Sequence, residues 1–513
     1  MAEIELKLEV PPAGVKALAR RLSAWGRGTR QRMHSEYFDT AAGALAAARV
    51  AVRLRRIGTR WVQTLKRADR DAALARRGEW EVPAPDGKLV WSRFPAQARA
   101  GLPRAPRLVP VFATRFMRTA WVVTQAGSRI EVALDVGEAS AGERRVPLCE
   151  LEFELMEGSE GNEGAEVDEA ALFTLARRLL STKEGAGLLP QPLSKATRGR
   201  RLLTGQPQRP VKADRRQVMG AVRAAHSAPQ ALRAVIAAGS DALWLNVHGA
   251  LADTGPNTDP EFVHQARVAV RRMRSAVRVL GRAAGFPAPL ARELRRIGRV
   301  LGAVRDADVL ALESLPRWME AAVEAAAPST NRPHWRHAAE RRRAQARVAM
   351  RARVLNRRTA RAALDLMAWA HGGGDESSSA LSSMPSLQSL AAPSLEAQWR
   401  RLRKAARGFT TLAPEKQHRV RIEAKRLRYA LDLFESALPA VRTFHQQVAR
   451  VQDALGALND WAVAAAELKR MRQPLPAPVA RRQLVAAAQR ALTALFGSRP
   501  PWRHARALAT LAR

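Results

Sequence analysis

The sequence predicts a multidomain α+β protein, with a β domain and flanking helices first and an all-α part after it. Two patterns and the length predict this. Up to about residue 155, short runs alternate polar and apolar residues, the period of half-buried strands. From about Asp214, apolar residues recur at three- and four-residue spacing with arginine between them, the period of helices. A length of 513 residues suits two to four domains.

The first strand is Glu3 to Val10, with strict alternation. A helix follows at Ala13 to Trp25. Further strands are expected at Val50–Ile57, Trp61–Lys66, Gly78–Val82, Arg118–Thr124, Ser128–Asp135 and Pro147–Leu155. Ala170 to Leu180 reads as a helix, and Gly185 to Pro192 as a turn-rich segment. The first domain is therefore placed at residues 1–204, with a Pro- and Gln-containing linker at 205–213 and a helical domain at 214–513. Within the helical domain, the glycine- and serine-rich stretch 371–393 reads as a flexible insertion. It separates one repeat, about 214–370, from another, about 394–513. One very basic helix is expected from Glu340 to Met367.

The chain carries 86 Lys+Arg against 47 Asp+Glu, a formal net charge of +39. Residues 1–204 account for +10 and residues 205–513 for +29. Such a field implies polyanionic partners. The N-terminus alternates charge where a signal peptide needs an apolar run, and no stretch reaches the roughly 18 apolar residues of a membrane span. The lone cysteine, Cys149, allows no internal disulfide. The expected compartment is the cytoplasm, with no membrane partner.

Alternate residues of a strand share a face, so Glu3, Glu5 and Lys7 project together. Two carboxylates and an ammonium suit a metal-phosphate site. Arg53 and Arg55 repeat the arrangement with guanidiniums that favour phosphate oxygens, and Lys66 ends the next strand. Glu150, Glu152 and Glu154 form an acidic row. Interior charges are costly unless paired or metal-bound, so a closed barrel with this inner face implies a ligand.

The Glu3-x-Glu5-x-Lys7 stretch resembles the signature of the CYTH, or triphosphate tunnel metalloenzyme, superfamily. Tyr37-Phe38-Asp39-Thr40, Arg53-Leu-Arg55, Thr64-Leu-Lys66, Glu150-Leu-Glu152-Phe-Glu154 and Ser194-Lys195-Ala-Thr-Arg198-Gly199 carry the resemblance over nearly all of residues 1–200. It implies an eight-stranded antiparallel tunnel that binds inorganic triphosphate with Mg2+ or Mn2+. Glu3 and Glu5 would be metal ligands facing Glu150 and Glu152, with Asp135 and Glu154 as further candidates. Arg53, Arg55, Lys66, Arg115 and Lys195 would clamp the phosphates, joined by Arg118 and Arg198. Lys7 would orient or deprotonate the attacking water.

The helical part repeats itself. His264-x-x-Arg267-x-x-x-Arg271-Arg-x-Arg274 recurs 154 residues later as His418-x-x-Arg421-x-x-x-Lys425-Arg-x-Arg428. Leu301-Gly302 and Leu455-Gly456 keep the same offset, as do Arg296 and Arg450. Two related bundles facing each other are the natural outcome of such a duplication. The spacings 3, 4 and 3 stack each set on one helix face. Val268, Val270 and Val277, and Val420, Ile422 and Leu431, are expected on the opposite sides. A like-charge row repels itself, so its repetition implies a compensating anion.

This half resembles the CHAD domain. The resemblance implies two four-helix bundles related by a pseudo-two-fold axis, with a basic surface that binds inorganic polyphosphate and extends the expected location to polyphosphate granules. The function expected is a metal-dependent inorganic triphosphatase tethered to polyphosphate. A non-catalytic polyphosphate binder, a thiamine triphosphatase and an adenylate cyclase are the alternatives. Specific nucleic-acid binding ranks last, because aromatics are 5% of the chain and none interleave the stripes.

Overall fold

A computed structural model describes residues 2–67, 72–156, 169–213, 220–252 (except 221, 224 and 226), 258–317, 332–372, 386–470 and 478–503. They form two compact units. The first comprises Met1–Val211, Ser240–Gln265 and Met350–Gly372; the second comprises Lys212–Gly239, Ala266–Ala349 and Gly373–Arg513.

The first unit is built on one antiparallel sheet. Its strands are β1 (Ala2–Glu9), β2 (Thr29–Thr40), β3 (Val50–Ile57), β4 (Arg60–Arg67), β5 (Leu74–Pro83), β6 (Leu108–Gln125), β7 (Ser128–Ala141), β8 (Arg144–Leu155) and the two-residue β9 (Leu189–Pro190). Their spatial order is β5-β4-β3-β2-β6-β7-β8-β1-β9, and β5 also pairs with β1. That last pairing closes β1 to β8 into a ring, which leaves β9 against β1.

Alternation decides what faces where. Leu6 and Leu8 of β1, Ile130, Val132 and Leu134 of β7, and Leu151 and Phe153 of β8 point away from the lumen. They pack with Leu18 and Leu22 of helix α1 (Val15–Leu22), with the buried side of helix α3 (Glu169–Leu180) and with Leu364 and Met367. On another flank Val50, Val52 and Leu65 pack with Phe94 and with Leu45 of the short helix α2 (Ala44–Ala47). The hydrophobic core therefore lies outside the ring, and the charged alternates line its inside.

Helix α4 (Lys195–Thr204), capped by Ser194, packs on the inner face. Ala196 and Leu202 join Tyr37, Phe112 and Ala141 there. Gly199 is required at this seat, because a Cβ would lie 2.2 Å from the Phe112 ring.

The helices after residue 213 are α5 (Ala228–Ala252), α6 (Pro260–Leu280), α7 (Ala288–Val309), α8 (Arg332–Val354), α9 (Arg357–His371), α10 (Leu387–Ala405), α11 (Pro414–Phe434), α12 (Val441–Arg470) and α13 (Pro478–Gly497). Parts of this region belong to the first unit. Asn246 of α5 exchanges hydrogen bonds with both backbone groups of Val211 (3.0 and 2.9 Å), which pins the end of the expected linker. His248 places one ring nitrogen 2.8 Å from Glu9 Oε2 and the other 2.7 Å from the Pro190 carbonyl. Two acceptors can both be satisfied only by the imidazolium. Burial acts against that charge, but the hydrogen bond and the charge of Glu9, with the Pro190 carbonyl, together outweigh it and the pKa of His248 is raised.

Three expectations are corrected, and one strand is added. Thr29–Thr40 is a full strand that alternation does not reveal, because its first four residues are exposed and none of them is apolar. Strand β6 begins at Leu108, ten residues earlier than expected. The basic helix expected at Glu340–Met367 is two helices, and Asn356 caps the second by accepting from Thr359 N at 2.9 Å. Residues 387–393 of the expected insertion are helical: Ser386 caps α10, and Leu387, Ala391 and Leu395 are buried at four-residue spacing. Residues 373–385 lie outside the described residues.

Gly137 marks the tightest backbone approach in the ring, where a Cβ would stand 2.1 Å from the Arg115 carbonyl oxygen. Gly137→Ala should destabilise the first unit by about 2–3 kcal/mol, since backbone cannot yield as a side chain does. Urea unfolding followed by circular dichroism checks this.

Candidate functional site

The lumen has an acidic side and a basic side. Strand register builds the acidic side, setting Lys7 of β1 opposite Glu152 of β8, Glu5 opposite Glu154, and Asp135 of β7 opposite Glu150. Asp135, Glu150 and Glu152 are buried, and one carboxylate oxygen from each lies within 4.8 Å of the others. Three cations of the chain meet them. The Arg118 guanidinium forks onto both oxygens of Asp135 at 2.8 Å and reaches Glu131 and Glu152. Lys195 Nζ lies 2.8 Å from Asp135 and 2.7 Å from Glu152, and also pairs with Glu150. Arg198, one turn further along α4, pairs with Glu150.

Burial would raise the pKa of Glu152, but Lys195 and Arg118 hold it well below the carboxylate range. Lys195 moves the opposite way: burial works against its charge, and Asp135, Glu150 and Glu152 outweigh burial to raise it. Glu5 shares a hydrogen bond with Glu152.

The basic side is built on β3 and β4. Arg55 Nε donates to Ser35 Oγ at 2.9 Å, while Arg53 and Lys66 both face Glu79, at 3.6 and 2.7 Å. Burial, reinforced by Arg53, pulls the Arg55 pKa down to about 10. Beside them Tyr37 stacks on Phe112 with ring centroids 4.5 Å apart. Burial would raise the Tyr37 phenol, yet Arg53 and Arg55 bring it down. These shifts mark a wall of positive charge that an anion would relieve. The two sides meet at Phe116, whose ring centroid is 5.1 Å from Lys195 Nζ and 5.9 Å from the Arg55 guanidinium carbon.

The structure therefore brings together Glu5, Lys7, Arg53, Arg55, Lys66, Arg118, Asp135, Glu150, Glu152, Lys195 and Arg198. Glu154 lies further along β8, opposite Glu5 and Glu131, outside the three-acid cluster. The Glu3 backbone pairs with Arg77, and its side chain lies outside the described residues. Arg115 is a correction: it is exposed, and its parity on β6 is opposite to that of the inward Thr114, Phe116 and Arg118. Sequence reasoning assigned no role to Glu79, Glu131 or Tyr37. Parity carried that signal, because each sits in step with an inward-facing residue of its own strand or of the strand beside it.

In the second unit the two repeated stripes converge. The guanidiniums of Arg271 and Arg272 on α6 each lie 5.5 Å from the Tyr429 ring on α11. Lys425 is pulled down to about 8 by burial and by Arg421, Arg271 and Arg267. Arg274 is lowered by burial and by Arg295, Arg267 and Arg299, which adds two α7 residues that sequence reasoning missed. Arg428 is half-buried one turn beyond Lys425. His418 Nδ1 lies 2.7 Å from Asn459 Oδ1 and so donates to it. Its other nitrogen can then donate to an anion only when the ring is protonated. His264 clusters with the first unit instead. Arg296 is engaged by Glu293 at 2.6 Å, and Arg450 is exposed on α12. Ile422 is also a correction. It is 37% exposed, because it stands four residues after His418 and three before Lys425, on the polar face.

A closed antiparallel ring with buried acids on one side and bases on the other defines a charged tunnel. The family models agree with this class. Residues 1–186 match the CYTH domain and residues 212–469 the CHAD domain. A Haemophilus influenzae protein named inorganic triphosphatase is 33% identical over 168 residues, 31% of this chain. The match spans 46% of that relative, about half its length. Among solved structures, the CHAD domain from the plant Ricinus communis is 26% identical, with a TM-score of 0.42 over 57% of this chain and 97% of that one. A candidate adenylyl cyclase from Hippeastrum, described with a dominant triphosphatase activity, is 21% identical, with a TM-score of 0.30 over 39% of this chain and 95% of that one. The chain belongs to the CHAD domain family and carries a CYTH domain ahead of its CHAD domain.

CYTH triphosphate tunnel metalloenzymes use divalent metals, and the buried triad fits such an ion. Its donors are all hard carboxylate oxygens, and no thiolate or imidazole is among them. Among the described residues, no helix is long and apolar enough to cross a membrane.

Two outcomes test the stripe. A Cβ on Gly302 would stand 2.2 Å from Arg267 Nη1, whereas one on Gly456 would meet nothing within 4 Å. If the stripe is an anion site, Gly302→Ala should displace the Arg267 guanidinium and weaken retention of added polyphosphate about tenfold with little change in stability, while Gly456→Ala should leave it unchanged; filter binding reads both. Lys425 has a folded pKa of about 8 against an ordinary 10.5, so its charge destabilises the fold fully below pH 8, and less as pH rises from there. Lys425→Met should therefore stabilise the anion-free protein by about 1 kcal/mol at pH 7. A thermal melt should show that gain shrinking toward pH 10.

Proposed function

We propose that the tunnel hydrolyses inorganic triphosphate to diphosphate and phosphate with Mg2+ or Mn2+, and that the basic stripes of the helical part bind polyphosphate. In this reading the two helical repeats are four-helix bundles related by a pseudo-two-fold axis. The observation that carries the catalytic half is the facing of Asp135, Glu150 and Glu152 by Arg53, Arg55 and Lys66 inside one closed sheet. The convergence of Arg267, Arg271, Arg421 and Lys425 carries the binding half.

Asp135, Glu150 and Glu152 would hold the divalent ion, joined by Glu5 and, from the family resemblance, Glu3. Bound there, the metal supplies charge neutralisation at the transferring phosphoryl group. Arg53, Arg55 and Lys66 bind phosphate oxygens, and the enclosed lumen strengthens each of these contacts by excluding bulk water. Phosphoryl transfer asks little covalent chemistry of a protein, so positioning and electrostatics are the main contributions of these residues. Lys7 is 2% exposed, facing Glu152, and orients or deprotonates the attacking water.

One feature favours a second reading. A cavity of about 520 Å³ is lined by Trp25, Trp121, Arg118, Glu131 and neighbours. It is roomy enough for an organic group, as a triphosphate ester such as thiamine triphosphate or a nucleotide would require.

Phosphate release from triphosphate, ATP and thiamine triphosphate separates the two readings. Glu152→Gln should lower the preferred rate by about 10²–10³. Arg115→Ala should leave it within about threefold, because that side chain is exposed on the outer face. Equal rates for wild type and Glu152→Gln would remove the enzymatic reading.

A further inference from the structure

The acidic cluster that would receive a metal is already neutralised by the chain itself. Its three carboxylates face three cations, Arg118, Lys195 and Arg198, and Lys195 alone touches all three acids. Lys195 is 8% exposed, so water screens little of this contact. It is also the first residue of α4, whose seat is set by the close approach of Gly199 to Phe112.

We infer that Lys195 is a built-in counterion that keeps the acidic cluster closed to free divalent metal and yields it only when a triphosphate arrives. An ammonium and a divalent ion cannot share the same oxygens, because like charges at contact distance repel strongly in an enclosed site. Metal entry therefore requires Lys195 to leave. Leaving costs little only if another anion receives the ammonium. The ring of Phe116 already carries Lys195 Nζ on one side and the Arg55 guanidinium near it, so the ammonium stands beside the wall that holds phosphate. Metal and triphosphate then each raise the affinity for the other, as linkage demands. The inference rests on the metal-dependent reading of the tunnel, and it assigns Lys195 a positioning role between the two ligands.

The test is equilibrium dialysis of Mn2+ against the full chain, with and without imidotriphosphate, a triphosphate analogue with bridging nitrogens. Wild type should bind Mn2+ about tenfold or more tightly when the analogue is present. Lys195→Met should bind Mn2+ alone about tenfold more tightly than wild type and show weaker coupling to the analogue. Lys195→Gln, which keeps a hydrogen-bond donor without the charge, should behave in the same way if the methionine variant folds poorly. Thermal melts add a second readout: Mn2+ alone should raise the melting temperature of either variant and leave wild type unchanged. Wild type binding Mn2+ alone as tightly as the variants would overturn the inference. Absence of Mn2+ binding in all of them, with the analogue present, would instead overturn the metal reading of the tunnel.

Discussion

The structure of the tunnel depends on one constraint: charges enclosed by a sheet must be compensated within it. Closing β5 onto β1 removes the sheet edges and separates an inner face from an outer one. The outer face buries leucine, valine and phenylalanine against α3 and other helical residues. The inner face holds carboxylates, guanidiniums and ammonium groups with little water to screen them. Such an arrangement is stable only with opposite charges in register, and the strand pairs supply that register. Asp135 meets Arg118 across β6 and β7, and Lys66 meets Glu79 across β4 and β5. Where a cation is buried beside another cation, as Arg55 is beside Arg53, its pKa is pulled down.

The second unit applies the same physics to the opposite effect. Few acids face the stripes. Arg421 has Asp460 nearby, yet burial still lowers its pKa. Lys425 bears the repulsion of three arginines. Acids do pair with cations elsewhere in this unit, as where buried Asp308 receives Arg343 and Arg347. Among the described residues, the surface where α6 and α11 meet gathers arginines and Lys425 with few acids beside them. Like charges held close together lower stability, and under the function proposed above a bound polyanion would offset that cost.

The helical region also contributes to the first unit. His248 and the buried face of α9 attach to the tunnel's strands and to α3, and Asn246 holds Val211. The salt bridge from Arg177 to Asp365 adds a polar contact at 2.6 Å. Glu9, held by His248 and Gln191, continues the inward row of Glu5 and Lys7 along β1. The strand that carries the site is therefore tied at one end by residues more than 180 positions away.

By itself the sequence determined the α+β division, most strands and helices, the charge asymmetry, the 154-residue repeat and most of the residues lining the tunnel. It could do so because alternation and helical spacing are local, and each charged row is fixed by parity within a single strand or helix. Only the tertiary structure decided closure of the ring, the exposure of Arg115, the contact of Lys195 with three acids, and the helical state of residues 387–393. Those outcomes depend on which strand pairs with which, in what register, and on where a distant helix finds its seat. Parity along β6 needs a register with β7 before it says which residue faces in, and α4 reaches the carboxylates only after the sheet has closed. The charges could be read from the chain; their partners required the fold.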